Sequence, residues 1–174
     1  SPVETALACG ERETAVTLMR VVRKMDAGPI IDSERVLIGE RMTGPELRKD
    51  LSLACIPLLD RNLTSMLSGT QREIPQVDES ATYCRKLNKM DGVLDFAQSA
   101  ESLDCRIRAF FNWPGSSFFH GENRLRVGKA SIAEEDGMLK VGEVGRSAGC
   151  DLLIGTACGT LRIEELQKPG GRML

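Results

Sequence analysis

Histidine is almost absent from this 174-residue chain: the single one, His120, stands in "FFHGEN". Six cysteines occur, at 9, 55, 84, 105, 150 and 158, yet no two have C-x-x-C spacing. A structural zinc site needs four such ligands at short spacings, so this inventory argues against zinc and against a disulfide framework. The plain reading is free thiols in a reducing compartment, packed in the interior as small apolar side chains. Long hydrophobic runs are lacking too. The longest, "LACIPLL", is broken by Pro57 and falls far short of the roughly 20 apolar residues of a bilayer span. No signal-peptide pattern opens the chain, so the expected location is the cytoplasm, and Ser1 without a Met points to processing or truncation. Net charge is only −2, and it divides unevenly. Residues 1–83 hold 10 Lys and Arg against 13 Asp and Glu; residues 84–174 hold 13 against 12. Bulk charge therefore does not announce a nucleic-acid binder. No repeat or low-complexity tract stands out.

What is present is 41% hydrophobic content, enough for one ordinary domain or two small ones. "PVETALACG" reads as the end of a helix, with Pro2 in a first turn and Gly10 as a C-terminal cap. "TAVTLMRVV" and "PIIDSERVLI" read as strands joined by "RKMDAG", with Gly28 free to take a positive φ. "TGPELRKDLSLACIPLLDRNLTSMLSG" reads as a long helix: Thr43 and Glu46 form a capping box, Gly69 stops it and Pro57 kinks it. Residues 70–90 have no period and read as a linker, with a short strand "VLDF" after it. A helix follows at about 99–112, with Leu103, Ile107, Phe110 and Phe111 on its buried face. Five short strands come next: "SSFFH", "NRLRVGKASIA", "MLKVGEV", "CDLLIGTA" and "TLRIEEL". The expected fold class is α/β plus β. Residues 1–69 are the tail of a larger α/β domain, and residues 91–174 are a small barrel of oligonucleotide-fold type with one helix.

Several blocks resemble a known family. "SPVETALACGERETAVTLMRVVRKMDAGPII" resembles the later part of the folate-dependent formyltransferase domain. "ATYCRKLNKMDGVLDF", "CRIRAFFNWPGSSF", "GENRLRVGKA" and "LRIEELQKPGGRM" resemble, in this order, the linker, barrel helix, first hairpin and closing segment of the methionyl-tRNA formyltransferases. The resemblance covers essentially the whole chain. It implies a Rossmann-like formyltransferase domain, a linker and an oligonucleotide-fold-like barrel. It also implies transfer of a formyl group from 10-formyltetrahydrofolate to the amino group of methionyl initiator tRNA. The family's catalytic trio is an Asn, a His two residues later, and an Asp. By motif position that Asp is Asp26. The Asn-x-His segment lies upstream in the family and is not in this sequence, so the chain is expected to be an incomplete portion, inactive alone.

Read locally, Asp26 before Gly28-Pro29 is a turn former; the resemblance makes it catalytic. Backbone groups of Val22, Arg23, Lys24 and Met25 are the expected folate contacts. Val22 and Lys24 depart from the acidic residue and Gly often found there, and Ala15 replaces a usual Gly. Arg85, Lys86, Lys89, Arg106, Arg108, Arg124, Arg126, Lys129, Lys168 and Arg172 are either a solvated face or a track of tRNA phosphate contacts. Arg108 is expected to project free of the apolar helix face, and Arg106 to snorkel along it. Trp113 is expected to be a packing anchor. Phe118 and Phe119 alternate on a strand, so at most one can stack on a base. His120 is expected at a hairpin tip, without a chemical role. No metal is expected. Two other readings stay open: a formyltransferase acting on an amino-sugar nucleotide, and a non-catalytic RNA-binding module.

Overall fold

The computed structural model describes residues 2–134, 139–147 and 149–174, and of Asp78 only the backbone. In chain order the elements are α1 (Pro2–Ala8), β1 (Glu13–Met19), β2 (Ile30–Leu37), α2 (Gly44–Ser68), α3 (Ala100–Ala109), β3 (Ser116–His120), β4 (Asn123–Ile132), β5 (Val144–Arg146), β6 (Leu152–Gly155) and β7 (Thr160–Gln167). Short 3-10 turns stand at Asp78–Ser80 and Lys89–Gly92. The chain divides into two compact units. The first is Ser1–Glu11, Arg41–Pro45 and Arg85–Leu174; the second is Arg12–Glu40 and Glu46–Cys84. These units are discontinuous, unlike the expected segments 1–69, 70–90 and 91–174. Both α1 and the segment 41–45 belong with the C-terminal sheet.

In the first unit five antiparallel strands run in the order β3-β4-β7-β6-β5. Among the described residues the ladders leave β3 and β5 as the two edges of this sheet. One face carries the core: Phe118, Val127, Ala130, Ile154, Leu161 and Ile163, with Leu103 and Ile107 of α3 packed on them. Val127 and Ala130 both point inward because the ladder shifts register on either side of Lys129, a bulge that resets the alternation. Ser99 caps α3 by accepting from the Ser102 N–H. The helix ends at Ala109, so Phe110 is buried but Phe111 falls in the following turn and is exposed. "VLDF" is not a strand. Val93 makes a single parallel bridge to Ser117, while Leu94 and Phe96 join the core. The strand expected over 138–144 does not form across 139–143; β5 begins only at Val144, and Met138 itself lies outside the described residues, as do 135–137 of the "EEDG" turn.

Segment 41–45 is held by a buried charge cluster. Asp104 on α3 accepts from Arg108 Nε (2.8 Å) and Arg41 Nη1 (2.9 Å). Arg108 also donates to the Met42 carbonyl at 2.9 Å, and Arg41 to the Ala130 carbonyl. Gly44 comes so close to α3 that an added Cβ would crowd the Ala109 carbonyl.

The second unit holds an antiparallel β1–β2 ribbon and most of α2. The helix runs unbroken through Pro57. Arg61 reaches β2, donating to Asp32 at 2.6 Å and pairing with Glu34, and Asn62 also donates to Asp32. Leu53, Ile56, Leu63 and Leu67 are exposed along the same helix. The expected linker 70–90 is not loose. Ile74 exchanges both backbone bonds with Ile30 at 2.8 Å, and Glu73 accepts from Arg20 Nε at 2.7 Å.

Residues 85–92 are fastened within the first unit. Buried Asp91 accepts from Arg85 Nη1 (2.8 Å) and the Asn88 N–H (2.7 Å), and Arg106 donates to its carbonyl. The Arg85 hydrogen bond, then the Asn88 N–H, hold the Asp91 carboxyl at about 2, below its ordinary 3.8. A carboxyl lowered by folding contributes stability above its unfolded pKa and loses it as pH falls through the folded one. The stability gap between wild type and Asp91→Asn should therefore close as pH falls from about 4 to about 2. Urea midpoints measured at successive pH values across that window check it.

Candidate nucleic-acid interface

Register places the site. Ser117 on β3 faces Arg126 on β4, which faces Gln167 on β7; Phe119 faces Arg124. Directly opposed residues share a sheet face, so these five side chains line the face opposite the core. Phe118 turns the other way, packed edge-on against Phe96 with ring centres 5.4 Å apart. Above that row lies a groove of about 520 Å³. Its walls are Lys89, the turn Asn112–Ser116, Ser117, Arg124, Arg126, Gln167 and the turn residues Lys168, Pro169 and Gly170. It carries four cations and no acid among these residues.

Each wall has a local cause. The turn after α3 closes through the Gly115 N–H to the Phe110 carbonyl, with Gly115 at φ +78. The Arg126 guanidinium lies 3.3 Å from where a Cβ of residue 115 would stand, so glycine there leaves it room. Gly92 backs the same turn: an added Cβ would overlap the Gly115 carbonyl oxygen. Arg124 Nε donates to Ser117 Oγ at 2.9 Å, which aims that guanidinium. The far wall is a hairpin in which Leu166 and Leu174 exchange backbone bonds and Gln167 donates to the Gly171 carbonyl. Ser116, opposite Val127, turns its Oγ to the core side, where it is buried with no hydrogen-bond partner among the described residues.

Of the ten cations expected to touch RNA, Lys89, Arg124, Arg126 and Lys168 converge on the groove. Lys86 and Arg172 are exposed but do not line it. Arg108 is not free: it is nearly buried between Asp104 and the Met42 carbonyl. Arg106 donates to the Asp91 carbonyl and lies over the Phe110 ring, and Arg85 is paired with Asp91. Lys129 does not line the groove and pairs with Glu164 at 2.7 Å. Trp113 corrects its expectation as a packing anchor: it is 50% exposed and lines the groove. The cysteines do as well, since Cys9, Cys84, Cys150 and Cys158 are exposed and only Cys105 is buried. His120 does stand at the β3–β4 hairpin tip.

Asp26 lies in the second unit, on the exposed β1–β2 connection beside Val22, Arg23, Lys24 and Met25. Its φ is +54, the left-handed region that Asp tolerates better than most residues. The loop is closed below it by the Arg20 N–H to the Pro29 carbonyl (3.0 Å). Gln76, a residue that sequence reading left in the linker, donates from one amide to the carbonyls of Asp26 (3.0 Å) and Gly28 (2.7 Å). Gly28 is buried, and an added Cβ would overlap the Arg20 carbonyl oxygen. Gly28→Ala should therefore open the loop, at the cost typical of overpacking, about 1–3 kcal/mol. Hydrogen exchange checks this: the Arg20 and Ile30 amides should lose protection while Leu161 and Ile163 keep theirs.

The model of the formyl transferase C-terminal domain matches residues 86–174, and the chain belongs to the formyltransferase family. Its relatives include methionyl-tRNA formyltransferases. That of Carboxydothermus hydrogenoformans is 34% identical, and that of Treponema denticola 30% identical; each match covers 100% of this chain and 56% of the relative. The chain thus spans a little over half the length of these proteins. Among solved structures, the N-formyltransferase from Helicobacter canadensis in complex with folinic acid and dTDP-3-aminofucose shares the fold. Its TM-score is 0.74 at 19% identity, over 96% of this chain and 60% of that one.

Proposed function

We propose that this chain supplies the RNA-holding part of an enzyme that moves a formyl group from 10-formyltetrahydrofolate to the amino group of methionyl initiator tRNA. The observation that carries this is the acid-free groove of four cations, on a chain whose relatives bear that enzyme's name. In this reading the five-stranded sheet and α3 act as an oligonucleotide-fold-like barrel, and β1, β2 and α2 are the tail of a Rossmann-like domain. Asp26 is the carboxylate of the reaction. Attack of an amine on a formyl carbon builds an oxyanion and leaves a proton to be removed. Asp26 takes or orients that proton. The oxyanion donors come from the Asn-x-His segment, which this sequence does not contain, so the chain alone binds tRNA without formylating it. Exposed Val22 and Met25, beside the cations Arg23 and Lys24, suit a folate ring that carries a carboxylate tail.

The test is binding of initiator tRNA across a salt series. The expected log–log slope reflects about three or four phosphate contacts at ~0.7–0.9 each. Affinity that ignores salt overturns the reading. A slope near one contact, together with preference for an amino-sugar nucleotide, would replace it with the sugar-nucleotide reading.

A further inference from the structure

We propose that the groove takes an unpaired nucleotide, its base stacked on Trp113 and its flanking phosphates on Arg124, Arg126 and Lys168. This rests on the reading of the groove as the RNA-holding surface and adds what form of RNA it holds. Trp113 is the only tryptophan in the chain and stands half exposed in the wall of a cationic groove. A tryptophan used for packing hides most of its large surface; one left open beside cations offers a π-face to a base. Phe119 is exposed on the same sheet face as Arg124, so a second ring lies along the track. The Asn112 amide, also in the lining, can donate to and accept from a base edge. A volume of about 520 Å³ is that of a site enclosing a drug-sized molecule, the scale of one nucleotide and not of a duplex. Proteins read single-stranded RNA by stacking splayed bases on aromatic rings while cations follow the backbone.

Because Trp113 is the sole tryptophan, its fluorescence reports the contact directly. The probes are a short oligoadenylate, the same strand annealed into a duplex, and inorganic pyrophosphate. The single strand should quench the emission and bind several-fold tighter than the duplex, while pyrophosphate binds with little quenching. Trp113→Ala, which lacks the fluorophore and is therefore read by the anisotropy of a dye-labelled strand, should weaken the single strand about tenfold or more and leave the duplex unchanged. Trp113→Phe, which keeps a ring and guards against a folding defect, should retain most of the affinity. Equal quenching by all three probes, or single-strand affinity unmoved by Trp113→Ala, overturns the proposal. If salt-dependent tRNA binding survives that result, the groove reading stands without the stacked base. If neither tRNA nor oligoadenylate binds, both fall.

Discussion

Asp104→Ala should cost about 3–5 kcal/mol and lower the melting temperature of the first unit by roughly 15–20 °C. Asp104 is almost fully buried and receives two guanidinium groups, one of them itself nearly buried. Removing the carboxylate leaves the Arg108 charge in a site without its counter-ion, and desolvation then opposes folding with nothing to offset it. Arg108 also reaches the Met42 carbonyl, and Arg41 reaches the Ala130 carbonyl, so the loss spreads to segment 41–45. Replacing Arg41, Asp104 and Arg108 together with apolar residues of similar volume should recover much of the stability, because no lone charge then remains. Thermal melts of the single and triple variants decide it: a triple variant weaker than the single one would show that the cluster attracts more than its desolvation costs.

Exchanging Arg124 and Arg126 for glutamine should weaken tRNA binding by at least about 100-fold, on the basis of ~1.5–3 kcal/mol for each hydrogen bond to a charged group. The slope of log affinity against log salt should fall by about 1.5, the share of two phosphate contacts. Lys86→Gln, away from the groove, should change little. A slope that does not move would place the phosphates elsewhere. The fold should tolerate both changes, since both guanidinium groups lie on the solvent side of β4 and the core sits on the other.

Most strands and both long helices were legible, because alternation along "SSFFH" and 3.6-residue spacing from Leu103 to Phe110 are local signals. Phe118 and Phe119 took opposite faces for that reason. What was not legible depends on partners distant in sequence. Arg108 was expected to be free because its own helix places it off the apolar face; nothing local shows that Arg41 and Asp104 close over it. Arg106 and Arg85 were absorbed in the same way by Asp91. Lys129 was absorbed by Glu164 on the neighbouring strand, and a single strand's pattern does not reveal that partner. The groove's Gln167 and Ser117 became visible only through cross-strand register. Trp113 misled because tryptophan beside proline reads as a packing element, whereas the turn closed by Gly115 directs it outward. In the second unit Asp26 was singled out by resemblance, whereas Gln76, fifty residues on, which donates to its carbonyl, was hidden in a segment without a period.

The discontinuous first unit has a consequence for synthesis. Arg41 and Ala130 are 89 residues apart. At ~5–20 residues per second the ribosome needs roughly 4–18 s between the two. During that interval α1 and segment 41–45 have left the exit tunnel with no sheet to pack on, whereas the Arg20–Glu73 and Ile30–Ile74 contacts can already form. Helix α1 and segment 41–45 are thus made well before the sheet they pack on, and the apolar Leu7 of α1 is what a nascent-chain chaperone would meet.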